Sequence, residues 1–86
     1  MTQNLNEPVS VVFTSDGLTR RLFPQIIVWK QRSYPVQKIG LHHTYKDGLT
    51  LFHVFSVATS TLFFRLVLNS DTLFWKLTQI SDGLQS

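Results

Sequence analysis

Residues 49–80 read LTLFHVFSVATSTLFFRLVLNSDTLFWKLTQI, and this stretch decides the fold. It holds three strand-length segments, Leu49–Ala58, Leu62–Leu68 and Leu73–Ile80, separated only by Thr59-Ser60-Thr61 and by Asn69-Ser70-Asp71-Thr72. Connections this short join antiparallel neighbours, because a parallel crossover needs a dozen or more residues. Leu62, Phe64, Leu66 and Leu68 recur at period two, as do Leu73, Trp75 and Leu77. Alternate side chains of an extended chain share a face. The stretch predicts a three-stranded meander with a strongly apolar face.

Upstream of it, Lys46-Asp47-Gly48 reads as a turn closing a loop over His42–Gly48. Tyr34–Leu41 reads as a strand, irregular at Pro35, which has no N–H to give to a ladder, and at Gly40. Lys30–Ser33 has the polarity of a hairpin loop, and the β-branched and aromatic run Ile26-Ile27-Val28-Trp29 before it reads as another strand. Val9, Val11 and Phe13 alternate with Ser10, Val12 and Thr14 in a first strand, which Ser15-Asp16-Gly17 turns. Residues 1–7 read as a flexible N-terminal arm and 8–86 as a single β domain, closing on a turn signal at Ser81-Asp82-Gly83. No window carries a capped helical stripe, so little or no helix is expected, at most one turn near Leu18–Phe23.

Five to six meandering strands in 86 residues bury an apolar face only if the sheet curls on itself or packs on a second one. The expected fold class is therefore all-β, a small antiparallel barrel or roll. Its expected interior is Ile27, Trp29, Leu51, Phe55, Leu62, Phe64, Leu66, Leu73, Trp75 and Leu77. Alternation then places Ile26, Val28, Phe52, Val54, Phe63, Val67 and Phe74 on the outer face.

Composition narrows the function classes. Hydrophobic residues make up 43% and charged residues 15%, which is the composition of a folded chain. The absence of cysteine excludes disulfides, Cys-ligated metal and a thiol nucleophile. The opening MTQNLNEPVS lacks the basic and apolar regions of a signal peptide, so the chain reads as cytoplasmic. Lys30, His53, Arg65 and Lys76 interrupt the apolar stretches, none of which approaches the ~18 residues of a membrane helix. A net charge of +3 is compatible with an anionic partner.

Seven large apolar residues on an outer face exceed what a soluble monomer usually exposes. Either the arm or the 14–25 segment covers them, or they form a protein interface, most simply a two-fold homodimer. Phe52, Phe63 and Phe74 are the candidate interface residues. Basic residues also interleave with aromatics, which makes Lys30, Arg32, Tyr34, Arg65 and Lys76 candidate contacts to DNA or RNA, with bases stacked on rings and phosphates neutralised by cations. A solvated charged face is the plainer reading of the same pattern.

Little points to catalysis. Glu7, Asp16, Asp47, Asp71 and Asp82 fall in the arm or in expected turns, and no nucleophile motif or glycine-rich phosphate loop is present. His42 and His43 point to opposite sides if extended, so no metal site is expected. His53 lies in register with Leu51 and Phe55, as a partly buried, hydrogen-bonded histidine would. The chain reads as a non-catalytic binding or accessory module without cofactor, contacting a protein partner through its sheet face; the alternative is a small nucleic-acid-binding β-barrel.

The pattern Trp29-Lys30-x-Arg32-x-Tyr34-x-Val36, followed by Phe52-x-Val54, Phe64-x-Leu66 and Trp75-x-Leu77 with Ile80 and Asp82, covers about two thirds of the chain. It resembles a small bacterial domain family of unknown function, sometimes found in association with Y-family DNA polymerases. The resemblance implies a role beside DNA repair or replication and brings no active residues with it.

Overall fold

A computed structural model describes residues 2–19 and 21–82. Seven strands run in chain order: β1 (Thr2–Ser15), β2 (Leu22–Trp29), β3 (Arg32–Pro35), β4 (Lys38–Asp47), β5 (Thr50–Ala58), β6 (Phe63–Asn69) and β7 (Trp75–Ser81). They form one antiparallel sheet in the order β3-β2-β1-β7-β6-β5-β4. The described residues hold no helix, and the sheet curls into a roll that does not close into a barrel. The all-β class is as expected, with more strands than the five to six read from sequence.

The long strand β1 explains the curl. Its first half pairs with β7, from Thr2 opposite Ser81 to Val9 opposite Trp75, and its second half pairs with β2, from Ser10 opposite Val28 to Ser15 opposite Leu22. One strand thus passes from one half of the roll to the other. Register shifts sharpen the bend. Leu5 and Asn6 together oppose Thr78, and Gln25 is the extra residue where β2 faces Val12 and Phe13. Such bulges bend a strand and increase its twist. Pro24, which has no N–H to offer, sits beside the β2 bulge and is buried.

The corner between β3 and β4 stitches the two halves at one end. The Val36 N–H donates to the Gln25 carbonyl at 2.8 Å, and the Gln37 N–H donates to the Ala58 carbonyl at 2.8 Å. Beyond that corner β3 reaches no further along β2 than Ile26, and no ladder joins β2 to β4. A seam stays open there.

The enclosed face carries Ile27, Phe55, Val57, Phe64, Leu66, Leu68, Trp75, Leu77 and Ile80, with Leu5, Val9, Val11, Phe13, Trp29 and Tyr34 packed around them. Rings lock this core at tilted or edge-on angles, as the aromatic quadrupole favours: Phe55 and Phe13 against Trp75 at 5.7 and 5.5 Å, Tyr34 against Phe64 at 5.2 Å.

Four expectations are corrected. Residues 2–7 are not an arm: they are the start of β1, and Glu7 points into the roll, where its Oε1 accepts the Trp29 indole N–H at 3.2 Å. The loop expected at His42–Gly48 is strand up to Asp47, because β4 is an edge strand and does not need an apolar face. Leu73 is not core: it is 59% exposed with φ +62°, since the connection bonding Leu73 N–H to the Asn69 carbonyl breaks the alternation one residue before β7 begins. Leu51 is only half-buried and lies outside the core. In place of the single helical turn expected near Leu18–Phe23, the described residues form a turn over residues 17–19 followed by β2; Arg20, within that stretch, and Gly83 of the expected final turn lie outside the described residues.

The turns follow local chemistry. Lys30 and Gln31 both take positive φ, 51° and 64°, the geometry of a two-residue type I′ hairpin. Gly48, at φ +63°, supplies the left-handed residue between β4 and β5. Asp16 accepts the Leu18 N–H at 2.9 Å and the Thr19 N–H at 3.4 Å, bonds that hold its carboxyl below its ordinary value.

Candidate interaction face

The outer surface of β4–β7 is the strongest candidate site. Antiparallel partners share a face, so the register aligns His43, Val54, Val67 and Lys76 in one row across four strands, with Tyr45, Phe52 and Asn69 in the next. Tyr45 stacks on Phe52 with ring centroids 5.0 Å apart and planes 13° from parallel. Phe74, just before β7, is 73% exposed, and Tyr45 is 46% exposed. These rings, with Val67, Lys76, Asn6, Asn69, Thr72 and Thr78, line a groove of about 480 Å³ that no carboxylate enters. Val54 lies in the same rows, 6% exposed, and forms part of the groove's support rather than its surface.

The turns at the end of the groove are fixed by side chains. Asn69 Oδ1 accepts the N–H groups of Asp71 and Thr72, at 2.9 and 3.2 Å, and Thr72 Oγ1 accepts the Phe74 N–H at 3.3 Å. Thr50 Oγ1 donates to Asp71 Oδ2 at 2.9 Å, tying the β4–β5 turn to the β6–β7 turn. Phe74 is thus presented to solvent from a hydrogen-bonded scaffold.

Of the residues singled out from sequence, Phe52, Phe74 and Lys76 meet in this groove. Phe63 stands at the opposite end of the same outer face, where it lines a smaller hollow of about 180 Å³ with Lys38, Arg65, Ser56 and Gln79. Lys30, Arg32 and Tyr34 belong to the β2–β3 hairpin in the other half of the roll. The Lys30 ammonium lies 4.8 Å over the Trp29 ring, and Tyr34 is packed against Phe64, so its ring serves the core. Sequence reading passed over Tyr45 because it placed the residue in a loop. The available signal was the alternation of Leu41, His43 and Tyr45 ahead of the Gly48 turn.

Two of the three histidines, His42 and His53, meet beside the seam. His42 and His43 do point to opposite faces, paired with Phe55 and Val54 respectively. His42 Nε2 and His53 Nδ1 share a hydrogen bond of 3.0 Å, and the His42 ring lies flat on Phe55, centroids 4.2 Å apart and planes 7° from parallel. Desolvation, then the charges of His53, His43 and Arg21, hold the His42 imidazole below its ordinary value. Among the described residues no group of three or more His, Asp or Glu is placed to hold a metal ion, and no helix is long and apolar enough to cross a membrane.

No family model, curated protein or solved structure matches the chain.

Proposed function

We propose that this domain is a non-catalytic binding module that docks a protein partner on the outer face of β4–β7, taking an apolar segment flanked by carboxylates into the Tyr45–Phe52–Phe74 groove. The observation that carries the reading is a groove walled by the exposed Tyr45 and Phe74 and the half-buried Phe52, with Lys76 at its side and no acid lining it. Rigid rings make good interface anchors because they cover a large area with few rotatable bonds. Lys76, with Lys38 and Arg65 further along the face, favours a partner that brings negative charge to its rim. Asp16 and Asp71 are engaged in turn bonds, in keeping with a domain that binds rather than reacts.

A second reading rests on the other end of the face. Phe63 flanked by Lys38 and Arg65 offers a ring between cations, as a single-stranded nucleic-acid site would, and suits a role near DNA repair or replication. Short labelled peptides with a central Phe-Leu pair flanked by Asp, Asn or Lys distinguish the two. The protein reading expects the Asp-flanked peptide to bind tightest and Phe74→Glu to abolish binding. The nucleic-acid reading expects single-stranded DNA or RNA to bind at low salt, with affinity falling steeply as salt rises and weakened by Arg65→Glu. Sedimentation that reports a dimer lost in Phe74→Glu would make a second copy the occupant of the groove.

A further inference from the structure

The open seam holds a further cavity, on the opposite side of the sheet from the groove. It measures about 430 Å³ and is lined by Arg21 just ahead of β2, Leu22 and Phe23 from the start of β2, Ile39 and His42 from β4, and Phe55 from β5. That volume falls in the range of small-molecule sites, roughly 300–1,000 Å³, and the mouths of curled sheets are a usual place for them.

The lining divides by chemistry into four apolar side chains and two basic ones. Every titratable group acting on His42 is also basic: His43 on its own strand, His53 on β5 and Arg21 ahead of β2. No carboxylate balances them within the lining. His42 is held in place by the flat stack on Phe55 and by the bond from its Nε2 to His53, which leaves Nδ1 as the ring nitrogen available to a ligand. We propose that the seam cavity binds a small apolar carboxylate, its acid group between Arg21 and His42 and its alkyl or aryl body against Leu22, Phe23, Ile39 and Phe55. An anion supplies the charge the lining lacks, and the apolar walls select against small hydrophilic anions.

The site carries its own pH dependence. Because desolvation, and after it the charges of His53, His43 and Arg21, hold the His42 imidazole below its ordinary value, a bound carboxylate draws a proton onto the ring, and binding strengthens as pH falls from neutral.

Calorimetric titration with four probes tests this: octanoate, phenylacetate, octanol and propionate. Saturable binding of octanoate or phenylacetate is expected, at least about tenfold tighter than octanol, since a charge-assisted hydrogen bond is worth that much, and at least about tenfold tighter than propionate, which has the same acid group but too little apolar body to bury against the walls. Which of the two carboxylates binds more tightly tells an alkyl from an aryl ligand. Arg21→Gln, a change at an exposed position, should weaken binding about tenfold, and His42→Phe should keep the stack on Phe55 while abolishing the pH dependence. His42→Asn serves the same purpose if the Phe variant does not fold. Equal affinity for octanol and octanoate, an Arg21→Gln variant that binds as the wild type does, or no saturable binding at millimolar concentrations would each overturn the proposal.

Discussion

The Trp29 indole N–H donates to the Glu7 carboxylate at 3.2 Å across the inside of the roll, joining β2 to the half of β1 that pairs with β7. A charged acceptor in a half-buried place is kept only if it is bonded, so this contact helps hold the two halves of the sheet together. Glu7→Ala should cost about 1–2 kcal/mol, and Glu7→Gln, which keeps an acceptor oxygen, clearly less. Urea denaturation of the two variants checks the difference.

The assignment of faces predicts opposite fates for two changes. Leu66 is fully buried, and Leu66→Ala should lose about 2–5 kcal/mol. Phe74 stands out from the surface, so Phe74→Glu should stay within about 0.5 kcal/mol of wild type while disabling the groove. A Phe74→Glu protein that unfolds would show the faces to be reversed.

Leu73 offers a sharper test, because the two readings of it differ in sign. In its left-handed conformation a leucine is strained by roughly 1–2 kcal/mol, and its exposed side chain gives little back. Leu73→Asn should therefore raise the stability by about 0.5–1 kcal/mol, read as a higher urea midpoint. A core leucine replaced by asparagine would lower it by several times that.

His42 makes stability depend on pH in a defined direction. The unfolded chain takes up a proton on this imidazole near the ordinary value of 6.5, the folded chain only at lower pH. Between those points the unfolded state binds more protons, so stability rises with pH. The contribution is complete above 6.5 and is lost as pH falls through the folded value. Denaturation midpoints on either side of 6.5 should show this slope, and His42→Phe should flatten it.

What the sequence made legible follows from which strands are buried on one side. β5, β6 and β7 press alternate residues into the core, so Phe55, Phe64, Leu66, Trp75 and Leu77 could be read from period two alone. β4 is an edge strand whose residues from Leu41 to Asp47 are exposed, and a strand without a buried face leaves only a faint period, here Leu41, His43 and Tyr45. The first half of β1 is polar on its outer side, and its inner Leu5 and Glu7 are displaced by the bulge opposite Thr78, so it looked like an arm. The groove was half legible: Phe52, Val67 and Phe74 came from alternation, but Tyr45 needed β4 to be recognised. The seam cavity could not be anticipated, since it joins the start of β2 to β4 through curvature rather than sequence proximity.

The pairing of β1 with β7 sets an order of assembly. The hairpins along each meander close over connections of a few residues, whereas bringing Thr2 beside Ser81 closes a loop of nearly the whole chain. Loop-closure entropy grows with length, so the two meanders form first and their union comes last. As the chain leaves the ribosome, the row of Leu5 and Val9 waits with an unpaired edge until β7 emerges. Through that interval a chaperone, or the same strand of another nascent copy, can compete for the place that β7 will take.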